Sequence, residues 1–422
     1  MLFGIGRELI TPSYPTRMSG YATFRGKLIS GIHDDLYVKT IVIEHQNKRI
    51  ALVAVDLLFH DFALTEEIRA YALAEHGIEP SAFMLGYSHT HSGPAVRGYD
   101  PGQFEERYER FVSERIKLSI DRAIYDLKPG NIEYGKTIGD WNINRRLMVD
   151  GRIELAPNPS GPVDPAIRFI VLREESGSVG AIVTNYACHP VCYRDSPVVS
   201  ADYPGALCRQ LESHFYGSTA LFFQSCGGNA RPKITAKGGA FVACEYDEVA
   251  DLGSSMARAI GRCINRDGLT AVEPDFAAVS FEVRLDLDPY DRSVFEEIVT
   301  TKGKRRTQAE LVLQSYEVKP DYIELPAGII RIGENLTIGW MGSEVCYEVK
   351  RVLEPLFAPH DLFFVGYADA TAYIPSDAMI REGGYEAERS TVEMCLKGPI
   401  VSGVDARVRD AFRNAQKKVA SA

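Results

Sequence analysis

The sequence predicts an α/β protein of layered mixed β-sheets flanked by helices. Three observations carry this. Strand-like and helix-like stretches alternate along the 422 residues, the arrangement that lays helices over sheets. Several strand-like stretches are short unbroken apolar runs, such as "AFMLG" (82–86) and "TALFFQS" (219–225), as strands buried on both faces require. The composition, 45% hydrophobic and 25% charged, is that of a globular chain able to bury a sizeable core.

Taken in order, "DLYVKTIVIEH" and "KRIALVAVDLLF" read as paired strands joined at Gln46-Asn47-Lys48. "ALTEEIRAYALAEHG" has helical spacing and Gly77 as its C-terminal stop. After "AFMLG", residues 102–127 form a long amphipathic helix. "IRFIVLRE" and "GAIVTNYACHP" make a hairpin around Ser176-Gly177-Ser178. "SADYPGALCRQLESHFY" is a helix, "TALFFQS" a strand, and "EYDEVADLGSSMARAIGRCIN" a helix. The second half continues in the same style. A strand at 276–287 precedes helices across 291–317, strands at 329–334 and 336–342, and a helix at 343–356. A strand at 361–367 and a final amphipathic helix at 405–421 complete it. No internal repeat or low-complexity linker stands out, so 1–422 is expected to be one catalytic domain without a separate C-terminal domain.

The net charge of -10 argues against nucleic acid and anionic membranes as partners, since both call for basic patches. The start, "MLFGIGRELITP", lacks the charge order and length of a secretion signal, and no run is long and apolar enough to span a bilayer. A cytoplasmic protein is expected, with a small-molecule substrate and room for a homo-oligomer. The eight cysteines form no CxxC pair and read as buried free thiols.

Unusual polar residues fall just past the ends of apolar strands. His89 and His91 follow "AFMLG", and His189 follows "AIVTNYAC". The stretch Gln224 to Asn229 follows "ALFF", Glu344 follows "LTIGWMGS", and Asp369 and Tyr373 follow "LFFVG". In α/β sheets, ligands bind outside the carboxyl ends of strands, so one shared cleft is expected. Residues two apart in extended chain face the same side. His89 and His91 therefore suit two metal ligands, or one ligand and one acid/base group. Taken singly, each is also what a backbone-bonded turn histidine looks like. Glu344 alone could be a carboxylate at a helix N-terminus. Their coincidence makes the case.

Together these segments resemble the catalytic domain of the neutral/alkaline ceramidase family. "GIGRELITP", "SHTHSGP", "NYACHPV", "SADYPGAL", "FFQSCGGNARP", "MGSEVCYEV" and "GYADATAYIP…GGYEAE" appear in the family's order. The resemblance implies that family's catalytic-domain fold and one zinc ion per chain, held by His89, His189, Glu344 and Tyr373. Tyr373 is preferred to Tyr367 because it lies twelve residues before Tyr385 (385 − 373), the family's interval. His91 would lie beside the metal as general acid/base, and Tyr385 on the side of the reacting carbonyl. The family's substrate-contacting serine turn aligns with Gly228-Asn229-Ala230-Arg231-Pro232, which puts Arg231 at the serine position and makes Asn229 and Arg231 the substrate-binding candidates. That exchange, the missing immunoglobulin-like domain and the missing signal argue against ceramide.

The resulting expectation is a zinc-dependent hydrolase cleaving an amide bond in a small polar, anionic substrate, since arginine suits carboxylate or phosphate. A metal-dependent esterase or lactonase and a non-catalytic relative that keeps the site are the alternatives. Reading "QSCGGN" as a phosphate cradle is disfavoured, because no Gly-Lys-Ser/Thr follows.

Overall fold

A computed structural model describes the chain except residues 22, 25, 60–61, 98–103, 194–196, 267, 302–304, 369–371 and 422. Asp369, one of the strand-end candidates, lies outside the described residues. The fold is α/β, with two large mixed sheets and helices on their outer faces.

The first sheet contains strands in the order 219–224, 179–186, 166–174, 128–138, 2–9, 37–45, 48–55 and 83–87, with 270–272 also pairing to 128–138. The second runs 274–286, 322–333, 336–341 and 363–365. Three times the chain makes an antiparallel hairpin, crosses through a helix, and returns as a strand parallel to the hairpin's second arm. The first unit is the hairpin 37–45/48–55, helix α1 (Phe62–His76) and strand 83–87. The second is the hairpin 166–174/179–186, helix α3 (Asp202–His214) and strand 219–224. The third is the hairpin 322–333/336–341, the helix Tyr347–Phe357 and strand 363–365. A parallel return needs a crossover of a dozen residues or more, which fixes each helix between its strands. The three units share no evident sequence repeat, because each is specified only by apolar patterning and a turn.

Local chemistry explains the ends. Gln46 and Asn47 both take left-handed φ (50° and 61°), which a two-residue hairpin turn demands. Gly77 has φ 62° just past α1, the conformation favoured after a helix C-terminus. Helix α4 (Tyr246–Ile264) opens with a reciprocal capping box between Glu245 and Glu248.

The layer between the sheets joins Ile43, Leu52, Met84 and Phe223 to Ile330, Trp340, Phe363 and Val365. Each such fully buried side chain contributes about 1.5–3 kcal/mol by leaving water. Gly86 is glycine because a Cβ there would sit 2.7 Å from the Phe223 ring. On the outer faces, α1 and α2 (Glu106–Tyr125) cover one end of the first sheet, and α3 and α4 cover the other. Tyr347–Phe357 and Val404–Ala420 cover the second sheet. All eight cysteines are free thiols. No helix among the described residues is long and apolar enough to cross a membrane.

The sequence reading passes over residues 128–158, which form three strands. The second of them, Asn142–Val149, carries buried Arg145 and Arg146, which break the apolar alternation that marks a strand.

Candidate metal centre

The strand ends that gather the polar residues belong to all three repeated units. His89 follows strand 83–87, His189 follows strand 179–186, Glu344 follows strand 336–341, and Tyr367 follows strand 363–365. Three residues at these ends, His89 (φ 65°), Ser343 (φ 83°) and Tyr367 (φ 66°), sit in left-handed backbone. Such conformations cost on the order of 1–3 kcal/mol each in non-glycine residues and concentrate at functional sites. Glu344 is placed by a two-residue parallel bridge that sets it opposite Tyr373.

The imidazoles are oriented from behind. His89 Nδ1 lies 2.9 Å from the Leu58 carbonyl, and His189 Nδ1 lies 2.7 Å from the Gly227 carbonyl. A carbonyl only accepts, so each Nδ1 carries the hydrogen and each Nε2 presents a bare lone pair. Those lone pairs converge. His91 Nε2 is 3.1 Å from His89 Nε2. Glu344 Oε2 is 2.8 Å from His189 Nε2 and 3.5 Å from His89 Nε2. The Tyr373 hydroxyl is 3.3 Å from His189 Nε2. The ligand atoms of His89, His91 and His189 all lie within 4.8 Å of one another.

Acceptors facing acceptors in a buried site need a cation between them. Protons do not supply it near neutral pH. Burial, with the positive charge of Arg145 adding to it, lowers His189 to about 4. Burial also holds His91 well below the ordinary imidazole value, with His89 and His189 adding to the effect. Burial pushes Glu344 up, but its contacts with the His89 and His189 imidazoles outweigh it and hold the carboxyl well below its ordinary value. Neutral imidazole nitrogen and one carboxylate around an open position fit a catalytic divalent metal. Imidazoles whose second nitrogen is fixed by a backbone carbonyl are the usual companions of such a site.

Beside the cluster is a cavity of about 240 Å³. Its polar lining includes His91, Arg145, Arg231, Tyr373, Tyr385 and Glu393, and its apolar lining Leu58, Phe59, Leu155 and Val191. The structure thus brings His89, His91, His189, Glu344, Tyr373, Tyr385 and Arg231 to one place. The Tyr385 hydroxyl donates to Glu393 at 2.8 Å. The Arg231 guanidinium lies over the Phe241 ring, 4.8 Å from its centroid.

Asn229 is placed differently from the sequence reading. It is 1% exposed and does not line the cavity. Its amide nitrogen donates to Glu348 at 2.7 Å, and its amide oxygen accepts from the Tyr347 backbone N–H at 3.1 Å. It ties the loop after strand 219–224 to the helix Tyr347–Phe357, and both ends of the side chain are occupied in doing so.

The sequence reading misses Arg145 and Glu386, and sets Tyr367 aside in favour of Tyr373. Arg145 is buried, is held by Glu386 at 2.8 Å, and lies 5.2 Å and 5.5 Å from the ring centroids of Tyr373 and Tyr385. Its Nη2 has no hydrogen-bond partner among the described residues. The Tyr367 ring lies 4.6 Å from His89, and its buried hydroxyl has no hydrogen-bond partner among them either. The signal available is the pair Arg145-Arg146 inside an otherwise strand-like stretch.

Comparisons with known proteins give the chain's family and fold. The family model for neutral/alkaline non-lysosomal ceramidase, N-terminal, matches residues 1–264. The neutral ceramidase of Pseudomonas aeruginosa is 26% identical over 268 residues, a match spanning 60% of this chain and 40% of that protein. A crystal structure of neutral ceramidase from Pseudomonas aeruginosa superposes with a TM-score of 0.76 at 19% identity, over 98% of this chain and 73% of that one. A structure of ceramidase complexed with C2 gives a TM-score of 0.76 at 19% identity, over 100% of this chain and 75% of that one. With more than half its length matched, the chain belongs to the neutral/alkaline non-lysosomal ceramidase family of hydrolases.

Proposed function

We propose that the chain hydrolyses the amide bond of an N-acyl lipid of the ceramide class, using one zinc ion held by His89, His189 and Glu344 with Tyr373 as the fourth contact. The observation that carries the reading is the convergence of bare Nε2 and carboxylate acceptors beside a cavity. The expected small polar, anionic substrate gives way. The named relatives are ceramidases, and Leu58, Phe59, Leu155 and Val191 offer an apolar wall to an acyl arm. Arg231, seated over Phe241, is then a donor to the polar head rather than a selector for a full negative charge.

Zinc in this position supplies Lewis acidity, polarising a carbonyl and lowering the pKa of water toward neutrality. His91 is unprotonated at neutral pH, so it can take the proton of the attacking water and return it to the departing amine. The new C–O bond forms first and the C–N bond breaks as the nitrogen takes up the proton, leaving a carboxylic acid and an amine, which exchange the remaining proton to give carboxylate and ammonium. Arg145 flanks the cavity as a donor available to the carbonyl oxygen as its negative charge develops, and Tyr385 joins it by turning its hydroxyl from Glu393. Glu386 fixes Arg145 in place, so this stabilisation requires little rearrangement during the reaction.

The test is a substrate panel with and without chelator: a short-chain ceramide, N-acyl amino acids and p-nitrophenyl esters. Chelator-sensitive cleavage of the ceramide, restored by zinc, is expected. Preference for the esters would move the protein to a metal-dependent esterase. Absence of turnover on every arm in metal-loaded protein would make it a non-catalytic relative.

A further inference from the structure

A second cleft lies away from the candidate metal centre. Helix α3 ends at His214 and leads directly into strand 219–224, whose far end delivers Gly227 to His189. Six residues of strand put the two ends about 20 Å apart. At the far end, between the C-termini of α3 and α4, is a cleft of about 310 Å³ lined by His214, Phe215, Arg258, Arg262, Asn265 and Arg266.

Arg258, Arg262 and Arg266 recur at intervals of four and are exposed. Arg258 and Arg262 lie on one face of α4, where like charges destabilise the helix, and Arg266 lies just past its end at Ile264. None of the three makes an ion pair or hydrogen bond through its side chain among the described residues; Asp267, next along the chain, lies outside them. Within a chain of net charge -10, other helix arginines do find carboxylates. Arg110, Arg122, Arg209, Arg292, Arg306 and Arg413, also on helices, each meet a carboxylate. The helix dipole favours cations only in the last turn, which accounts for Arg262 but not for Arg258, one turn earlier.

We infer that this cleft binds a phosphate-bearing small molecule. Guanidinium groups match phosphate oxygens with paired, charge-assisted hydrogen bonds. A phosphate or diphosphate gives the three arginines around this concavity the counter-charge that no carboxylate among the described residues provides. Phe215, half-buried between the helices, offers an apolar surface to the carbon skeleton of an organic phosphate. The cleft is concave, which suits a small molecule better than the flat face of a bilayer. The site is separate from the hydrolytic reading and does not depend on it.

The experiment is calorimetric titration of the metal-loaded full chain with pyrophosphate and with inorganic phosphate at fixed ionic strength. It is repeated on the triple variant Arg258→Gln, Arg262→Gln, Arg266→Gln. A control variant, Lys417→Gln with Lys418→Gln, removes two exposed cations from the end of another helix. Saturable pyrophosphate binding is expected in the native chain and in the control, weakened about tenfold or more in the triple variant. Chelator-sensitive hydrolysis should be equal in all three. If the triple variant fails to fold, Arg262→Gln alone should weaken binding in the same direction. Equal affinity in the variant would put the phosphate elsewhere, including on the metal, and would overturn the inference. So would no saturation up to about 10 mM, or binding to phosphatidylserine vesicles without binding to soluble phosphates.

Discussion

The candidate metal centre is assembled from two regions of unlike chemistry. The region matched by the family model, 1–264, supplies the imidazoles and both cavity arginines, while residues beyond it supply Glu344, Tyr373, Tyr385 and Glu386. The imidazoles are held from behind by the carbonyls of Leu58 and Gly227, groups that no side-chain substitution removes. Glu344 rests on a two-residue bridge with Tyr373, and its low pKa comes from the histidines it faces. The first region thus fixes where a cation sits, and the second fixes the charge around it. Metal binding should therefore suffer more from losses on the histidine side.

The largest effect expected is from His89→Ala or His189→Ala. Loss of partners one shell further out typically costs 10–100-fold in metal affinity, so loss of a ligand should exceed about 100-fold. Elemental analysis after dialysis should find protein nearly free of metal and without turnover. Glu344→Gln keeps an oxygen in place and should retain more metal than either alanine variant. If it retains less, the carboxylate rather than the imidazoles anchors the ion.

Next comes His91→Ala. Its Nε2 is close enough to His89 to share a metal, yet the mechanism assigns it the proton. The variant should keep most of the metal and lose about 10²–10⁴ in kcat, the usual contribution of general acid–base catalysis. Metal lost as fully as in His89→Ala would make His91 a ligand and move the proton transfer to another group.

The histidine side also sets a pH dependence in metal-free protein. Burial, reinforced by Arg145, holds His189 at about 4 against an ordinary 6.5. Between those values the unfolded chain binds the proton and the folded chain does not, so stability rises with pH across that window. Going down from pH 6.5 to 4, His189 alone should remove about 3 kcal/mol. Glu344, held low by its imidazole neighbours, adds its loss only below the ordinary carboxylate range. Urea midpoints of chelator-treated protein across this range measure the effect. An unchanged midpoint would mean that His189 is no harder to protonate in the folded chain than in the unfolded one.

The same division governs how much of the molecule is legible in its sequence. Uniform apolar runs ending in polar residues mark the strands at 83–87, 179–186, 219–224 and 336–341, so the histidines and Glu344 stand out from the residue pattern alone. Such strands announce themselves because both faces are buried. The strand Asn142–Val149 does not, because Arg145 and Arg146 occupy its interior positions and are neutralised by Glu386, some 240 residues away. No local pattern encodes a partner that distant. The threefold hairpin–helix–strand plan is hidden for a related reason: it lives in pairing geometry, which many sequences satisfy. Asn229 is easily misread because a loop asparagine near a site looks the same whether it points at a ligand or caps a neighbouring helix.

The smallest expected effect concerns Tyr373, the weakest member of the proposed ligand set. Its hydroxyl is 3.3 Å from His189 Nε2, longer than the carboxylate contact to the same atom. Burial pushes the phenol well above its ordinary pKa of 10, and the negative charge of Glu344 adds to that, while Arg145 pulls the other way. A neutral phenol is a poor metal ligand, so its share of the binding should be modest. Tyr373→Phe should lower metal affinity by about tenfold or less, with a larger effect on kcat than on metal content, because the phenol oxygen it removes also interacts with the Arg145 guanidinium. Tyr367→Phe, which removes a buried hydroxyl that has no partner among the described residues, is the matched control and should leave metal content unchanged. If Tyr373→Phe empties the site as His89→Ala does, the phenol is bound as phenolate. The second region would then fix the ion's position as well as its charge. If Tyr367→Phe is the more damaging of the two, the ligand assignment belongs to Tyr367, and the twelve-residue interval to Tyr385 points to the wrong tyrosine.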